Sequence, residues 1–256
     1  MNRQAQSAVL FLLGASLLHA GSTDLYLRYV KQGLRPLVLA AGAVLVAAAV
    51  ATLWYERKQA RRHKRGGEEP GHAHSESRAH SDLPAHTHPE PRVARLLVLP
   101  LLALILVAPP ALGSYSATRT GTALQEPLAY PDLPAADPLP LSVVDYAGRA
   151  VYDHGRTLRG RHVRLTGFLA LDRDGTPYLV RMALNCCAAD AQPVKVALTG
   201  QVPPVLQPDT WLRVTGTYTP RRAEDPVNGG PIPFIEVTEA EPVPEPTDPY
   251  DESWNS

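Results

Sequence analysis

Val163-Arg164-Leu165-Thr166-Gly167 and Leu212-Arg213-Val214-Thr215-Gly216 repeat one pattern, in which apolar and polar residues alternate and a glycine closes the run. Alternation of this kind puts one set of side chains on a buried face and the other in water. Each closing glycine permits a bulge or a sharp bend. The pair sits within five predicted strands: His162–Leu171, Tyr178–Leu184, Val194–Leu198, Trp211–Tyr218 and Ile232–Val237. Asp174-Gly175, Pro203-Pro204 and Asn228-Gly229-Gly230 supply turns between them. Short, bending strands over ~80 residues predict a small closed barrel, OB-like in kind. Ahead of it, Leu141, Val144, Ala147/Gly148 and Val151 recur every three or four residues behind Ser142, a candidate N-cap. That spacing predicts a short amphipathic helix and makes the domain α+β.

Upstream the composition changes. Residues 1–113 carry 13 Lys+Arg against 7 Asp+Glu, and residues 114–256 carry 12 against 18. No concentrated basic face is present, so a nucleic-acid partner is not expected. Three apolar runs predict about three transmembrane helices, and hence the lipid bilayer as a partner. Leu37–Tyr55 is 19 residues without a charge, close to the ~20 that cross a bilayer. Leu96–Gly113 is similar but is interrupted by Pro100 and Pro109-Pro110, which membrane helices tolerate when neighbours re-satisfy the freed carbonyls. Ala8–Leu18 is 11 residues, a length that also fits a signal-peptide core. Leu18-His19-Ala20 is a poor cleavage site, which favours a retained helix. His19 is either a functional intramembrane histidine or an interface marker. Ala43, Ala47 and Ala51 recur at four-residue spacing and form either a helix-docking face or a generic alanine-rich span.

Arg57, Lys58, Arg61, Arg62, Lys64 and Arg65 follow the second run, whereas Arg28, Lys31 and Arg35 precede it. The positive-inside rule then places the 56–92 loop in the cytoplasm and everything after Gly113 outside the cell membrane. The resulting organisation is a membrane region over 1–113, a Pro-rich stalk over 114–140, a barrel over 141–240 and an acidic, disordered tail over 241–256. The 56–92 loop holds six of the nine histidines, including His72-x-His74 and His86-x-His88. Such a tract either binds transition metals through its imidazoles or is low-complexity chain with incidental affinity.

Cys186 and Cys187 are the only cysteines, set in Asn185-Cys186-Cys187-Ala188-Ala189-Asp190. In a regular strand they would face opposite ways. Ala188-Ala189-Asp190-Ala191 favours a helical turn instead, in which Asp190 lies at i+4 from one cysteine and i+3 from the other. Two sulfurs and a carboxylate make a partial shell for zinc or copper, with His154 and His162 the domain histidines available as a fourth ligand. Other readings are a strained vicinal disulfide acting as a redox switch, a purely structural pair, and thiol catalysis. The last normally needs a paired base. No Cys/His signature stands out locally, so an enzyme is not expected.

These residues resemble a small family of bacterial membrane proteins regarded as permease subunits, of uncharacterised function. The resemblance is carried by Tyr29-Val30-Lys31, Gly33-Leu34-Arg35-Pro36, the His-rich loop, Ala108 through Tyr115, Gly160 through Phe168, Arg181-Met182 and Cys186-Cys187-Ala188-Ala189-Asp190-Ala191. It covers nearly the whole chain. It implies membership in a transport system with a larger multi-spanning permease as partner, and a connection with metal homeostasis. It supplies no catalytic residues.

Overall fold

The computed structural model describes residues 3–65, 110–203 and 207–252, which fall into two units. One is built from residues 1–23 and 36–109, the other from residues 24–35 and 110–256.

The first unit holds helices α1 (Arg3–Ser22) and α2 (Arg35–Arg65). Among the described residues, Gln32–Gln59 is long and apolar enough to cross a bilayer, and Gln6–Ser22 is an apolar but shorter helix. That makes one or two candidate spans among the described residues, where the sequence predicts about three for the chain. The third apolar run lies largely outside the described residues, and its end is not helical. From Pro110 the chain is extended, and Ala111 and Leu112 pack against the barrel. Proline at 109 and 110 accounts for this, since neither can donate the backbone hydrogen bond a helix needs. α1 and α2 approach closely at glycines. A Cβ on Gly14 would stand 2.8 Å from the carbonyl oxygen of Gly42, and one on Gly42 would meet Leu18 at 2.9 Å. The contact face of α2 therefore runs through Gly42 and not through Ala43 and Ala47, which are exposed. His19 is exposed in the last turn of α1.

The second unit is a five-strand closed barrel with additions at its seam. Its strands are β2 (His162–Leu171), β3 (Pro177–Leu184), β4 (Gln192–Gly200), β5 (Trp211–Glu224) and β6 (Pro231–Pro242). Round the barrel the order is β2-β5-β6-β4-β3, closed by β3 on β2. All contacts are antiparallel except β4 with β6. The glycines that end the two alternating runs do different things. The β5–β6 register shifts between Thr215 and Gly216, so Gly216 marks a bulge. Gly167 stays in register with Leu212, but a Cβ there would stand 2.6 Å from the Val180 carbonyl oxygen. Its bare backbone lets β2 close on β3.

Inside the barrel, Val163, Leu165, Leu169, Leu179, Val194, Val196, Val214 and Ile235 are fully buried. Helix α4 (Val143–Val151) adds Val143, Tyr146 and Ala147 to this core. Ser142 caps the helix as expected, its hydroxyl accepting from the Asp145 N–H at 2.9 Å. A second apolar cluster lies on the other side of the wall, where Phe168, Val180, Met182, Ile232 and Tyr250 pack under Ala117 of helix α3 (Ser114–Arg119). β3 is thus buried on both faces, which explains its nearly continuous apolar sequence.

Two segments differ from their expected character. Residues 114–140 are stitched onto the barrel and do not stand clear as a stalk. Asp225 Oδ2 accepts from the Thr122 N–H at 2.8 Å and from Lys195 Nζ at 2.7 Å, the Ala123 N–H donates to the Pro193 carbonyl at 2.9 Å, and strand β1 (Leu139–Pro140) pairs parallel with β2. The acidic tail is not disordered over its described residues. Strand β7 (Tyr250–Glu252) pairs parallel with β3, Tyr250 is buried, and Asp251 bonds Arg181 at 3.0 Å. One buried aromatic and one ion pair outweigh the composition that predicts disorder.

Candidate functional site

β3 ends at Leu184 and β4 begins at Gln192, with Ala183 opposite Gln192 as the last pair of their ladder. The connection carries both cysteines. Cys187 is extended (φ −153°, ψ 166°) and leads into a single 3-10 turn over Ala188–Asp190. The short turn folds Asp190 back on the residues before it. Asp190 Oδ1 accepts from the Asn185 N–H at 3.1 Å, while Oδ2 accepts from the Cys186 N–H at 3.0 Å and the Cys186 thiol at 2.9 Å. The sequence favours this closure, because aspartate readily accepts from nearby backbone donors in tight turns. The expected convergence is present, although a 3-10 turn and an extended Cys187 produce it instead of a helical turn starting at Cys186.

The opposite side of the segment is held by residues far away in the chain. Tyr26 and Leu27 are buried, and Val30 makes an antiparallel bridge with Cys187. The Lys31 N–H donates to the Cys186 carbonyl at 3.1 Å, and the Ala188 N–H donates to the Tyr29 carbonyl at 2.8 Å. The Tyr250 hydroxyl ties in the same stretch, donating to the Arg28 carbonyl and accepting from the Leu112 N–H, both at 3.2 Å.

One ligand atom each from Cys186, Cys187 and Asp190 lies within 4.8 Å of the other two. Ligand atoms around a tetrahedral zinc stand about 3.4–3.8 Å apart, given metal–ligand distances near 2.0–2.3 Å. Both cysteines are free thiols, Cys186 exposed and Cys187 half-buried.

Electrostatics keep Cys186 protonated. The hydrogen bond its thiol gives to Asp190, followed by the one involving Cys187, pushes its pKa up to about 12. On Asp190, burial works upward, but the Cys186 thiol and the backbone N–H groups of Asn185, Cys186 and Cys187 outweigh it. That carboxyl titrates below the usual carboxylate range. At neutral pH the site is a thiol donating to a carboxylate, a poor nucleophile. A thiophilic cation can take the proton's place.

The other expected ligands are not part of this cluster. His154 Nδ1 lies 3.2 Å from Arg222 Nη2, and His162 Nδ1 lies 3.2 Å from Asp137 Oδ1. Neither joins the Cys186–Cys187–Asp190 group. His72, His74, His86 and His88 lie outside the described residues. The contribution of Tyr29–Lys31 was missed from sequence, although a signal was present. Leu25, Tyr26, Leu27, Tyr29 and Val30 are more apolar than a short solvated loop requires.

Fold and site together define a barrel domain, carried on a chain with an apolar N-terminal helix, that displays a Cys-Cys-x-x-Asp group on one strand connection. A DUF1980 C-terminal domain, uncharacterised in function, is found over residues 145–251, from the first turn of α4 to β7. No curated protein and no solved structure matches the chain.

Proposed function

We propose that this protein is a membrane-anchored accessory subunit of a permease system. In this reading it presents a thiophilic metal ion, zinc or copper, through Cys186, Cys187 and Asp190 on the extracytoplasmic side. The observation that carries the reading is the convergence of two sulfurs and a carboxylate within 4.8 Å on a segment pinned from both sides. The barrel's strand order, with the third and fifth barrel strands parallel, is that of an OB fold. Folds of this kind serve as scaffolds for loops that bind ligands.

Charge and connectivity support the proposed sidedness. Six basic residues crowd the end of α2, which favours that end on the cytoplasmic side and its beginning on the outside. Residues 24–35, just before α2, belong to the barrel unit. In this reading the barrel unit, cysteine segment included, lies on the outer side. The permease partner comes from the family resemblance alone.

A redox switch is the weaker alternative. A thiol held protonated up to about pH 12 forms little thiolate, and the thiolate is the species that exchanges with disulfides. The deciding experiment is a zinc titration of the full-length, reduced protein in detergent. Stoichiometric binding that disappears in both Cys186→Ser and Cys187→Ser supports the reading, and no binding by the reduced protein ends it. Co-purification in mild detergent tests the partner separately, and a chain that never retains a permease removes that half of the proposal.

A further inference from the structure

The barrel wall parts at one place. β2 and β3 pair only where Phe168–Leu171 meets Pro177–Val180. Beyond that point β1 has joined the edge of β2, and β7 the edge of β3. A cavity of about 450 Å³ lies at this seam, lined by Arg181, Arg213, Asp251 and the hydroxyl-bearing Ser142 and Thr166, among others. That volume lies within the usual range for small-ligand sites. Asp251 pairs with Arg181 and Glu241 with Arg213, so what the lining offers an anion is guanidinium and hydroxyl donors and not a net charge.

Arg181 decides the chemistry. It is the only charged residue of β3 and is 8% exposed. Its Nε donates to Asp251 Oδ1 at 3.0 Å, and its Nη2 donates to the carbonyls of Asp248 and Tyr250 at 3.2 and 2.9 Å. Its guanidinium also stacks over Trp211 at 5.1 Å. Nη1 is buried without a hydrogen-bond partner among the described residues. A buried charged donor left unpaired is expensive, and an acceptor brought by a ligand recovers that cost. Arg213 donates to Glu241 at 2.6 Å with about half of each side chain exposed, a pair that contributes little and yields readily to a stronger acceptor.

The geometry points to a binding site for a phosphate-type oxyanion between Arg181 and Arg213, with the hydroxyls of Ser142 and Thr166 completing its donors. Ser142 Oγ accepts from the Asp145 N–H, which leaves its own proton to donate. Two guanidinium groups and two hydroxyls offer more donors than a planar carboxylate uses, and a phosphate group with three outer oxygens can take them. Asp251 already pairs with Nε of Arg181, and the donor left for a ligand is Nη1, which that pair does not use. The site involves neither cysteine and is independent of the metal reading.

The test follows hydrogen exchange over residues 178–184 and 248–252 of the full-length protein. One arm adds inorganic phosphate to detergent micelles, and the other compares nanodiscs of phosphatidylcholine with and without phosphatidylglycerol. Protection by phosphate in micelles assigns a soluble ligand. Protection by phosphatidylglycerol alone assigns a lipid headgroup. Either result supports the site if Arg213→Gln weakens the response about tenfold or more. Arg181→Lys, which keeps the charge and removes Nη1, should do the same, but it also loosens β7, so the more exposed Arg213 variant is decisive. No protection by either probe, or protection that Arg213→Gln leaves unchanged, overturns the inference.

Discussion

Asp190 accepts from the Asn185 and Cys186 N–H groups and from the Cys186 thiol, so one carboxylate both closes the turn and holds a proton on sulfur. Its i+4 spacing from Cys186 was legible in the sequence, because local geometry is set by a few neighbouring residues. The buried Arg181 was not, since its partner Asp251 comes from the far end of the chain. In a Cys187→Ser background, Asp190→Asn removes the charge that holds the Cys186 thiol protonated. Alkylation of Cys186 by iodoacetamide at pH 8.5 should then accelerate about tenfold; an unchanged rate would separate thiol and carboxylate. The pH dependence follows from the two shifts. Asp190 titrates below its unfolded value, so its contribution to stability is present above about pH 4 and is lost as pH falls through the lower folded pKa. Cys186 titrates above its unfolded value, so its contribution holds at neutral pH and is lost as pH climbs from roughly 9 toward 12. Zinc must displace the thiol proton, so apparent affinity should rise roughly tenfold per pH unit for each proton released between pH 6 and 8. A flat profile in a calorimetric titration would exclude thiolate ligation.

All five barrel strands are recognisable from alternation and turn residues, although β5 and β6 run on past their expected ends, Tyr218 and Val237, to Glu224 and Pro242. The longer reach of β5 comes from the pairing of Arg222–Glu224 with Pro231–Pro233, and that of β6 from the pairing of Glu239–Pro242 with Leu212–Thr215, partnerships that no local pattern announces. β7 is invisible in sequence for a different reason. Three residues inside an acidic, Pro-rich stretch cannot outvote their surroundings until Tyr250 finds a pocket. Its OH group bridges the Leu112 N–H and the Arg28 carbonyl. Tyr250→Phe should cost about 1 kcal/mol through the lost hydrogen bonds, and Tyr250→Ala about 3–5 kcal/mol through the cavity it leaves. Both are measurable by chemical denaturation in detergent. If Tyr250→Ala unfolds at the wild-type midpoint, β7 is not part of the fold. At the bulge, a Cβ on Gly216 would run into the Glu236 carbonyl oxygen, and backbone cannot yield as a side chain can. Gly216→Ala should destabilise the barrel by about 1–3 kcal/mol, whereas alanine at Gly33, which meets nothing within 4 Å, is the matched control.

The stretch between α1 and α2 folds with the barrel, although more than seventy residues separate it from Pro110 in sequence. This grouping could not be read from the chain, because a bridge between Val30 and Cys187 joins segments whose local patterns carry no mark of each other. Its physical consequence is that the cysteine segment has two supports, Asp190 from within and Tyr29–Lys31 from outside. A soluble fragment of residues 110–256 keeps the first and loses the second. Without residues 24–35, the Ala188 N–H has no Tyr29 carbonyl to meet, the Cys186 carbonyl loses the Lys31 N–H, and the Tyr250 hydroxyl loses the Arg28 carbonyl. Each lost bond removes roughly 1 kcal/mol of local order. Amide exchange at Ala188 should therefore be about tenfold or more faster in the fragment than in the full-length protein, with zinc binding weakened in parallel. A synthetic peptide of residues 24–35 added in trans should restore part of both. If Ala188 exchanges equally fast in the two proteins, the outer support is passive and Asp190 alone organises the site. If exchange differs while zinc affinity does not, the loop orders the backbone without tuning the sulfurs, and metal selectivity resides entirely in residues 186–190.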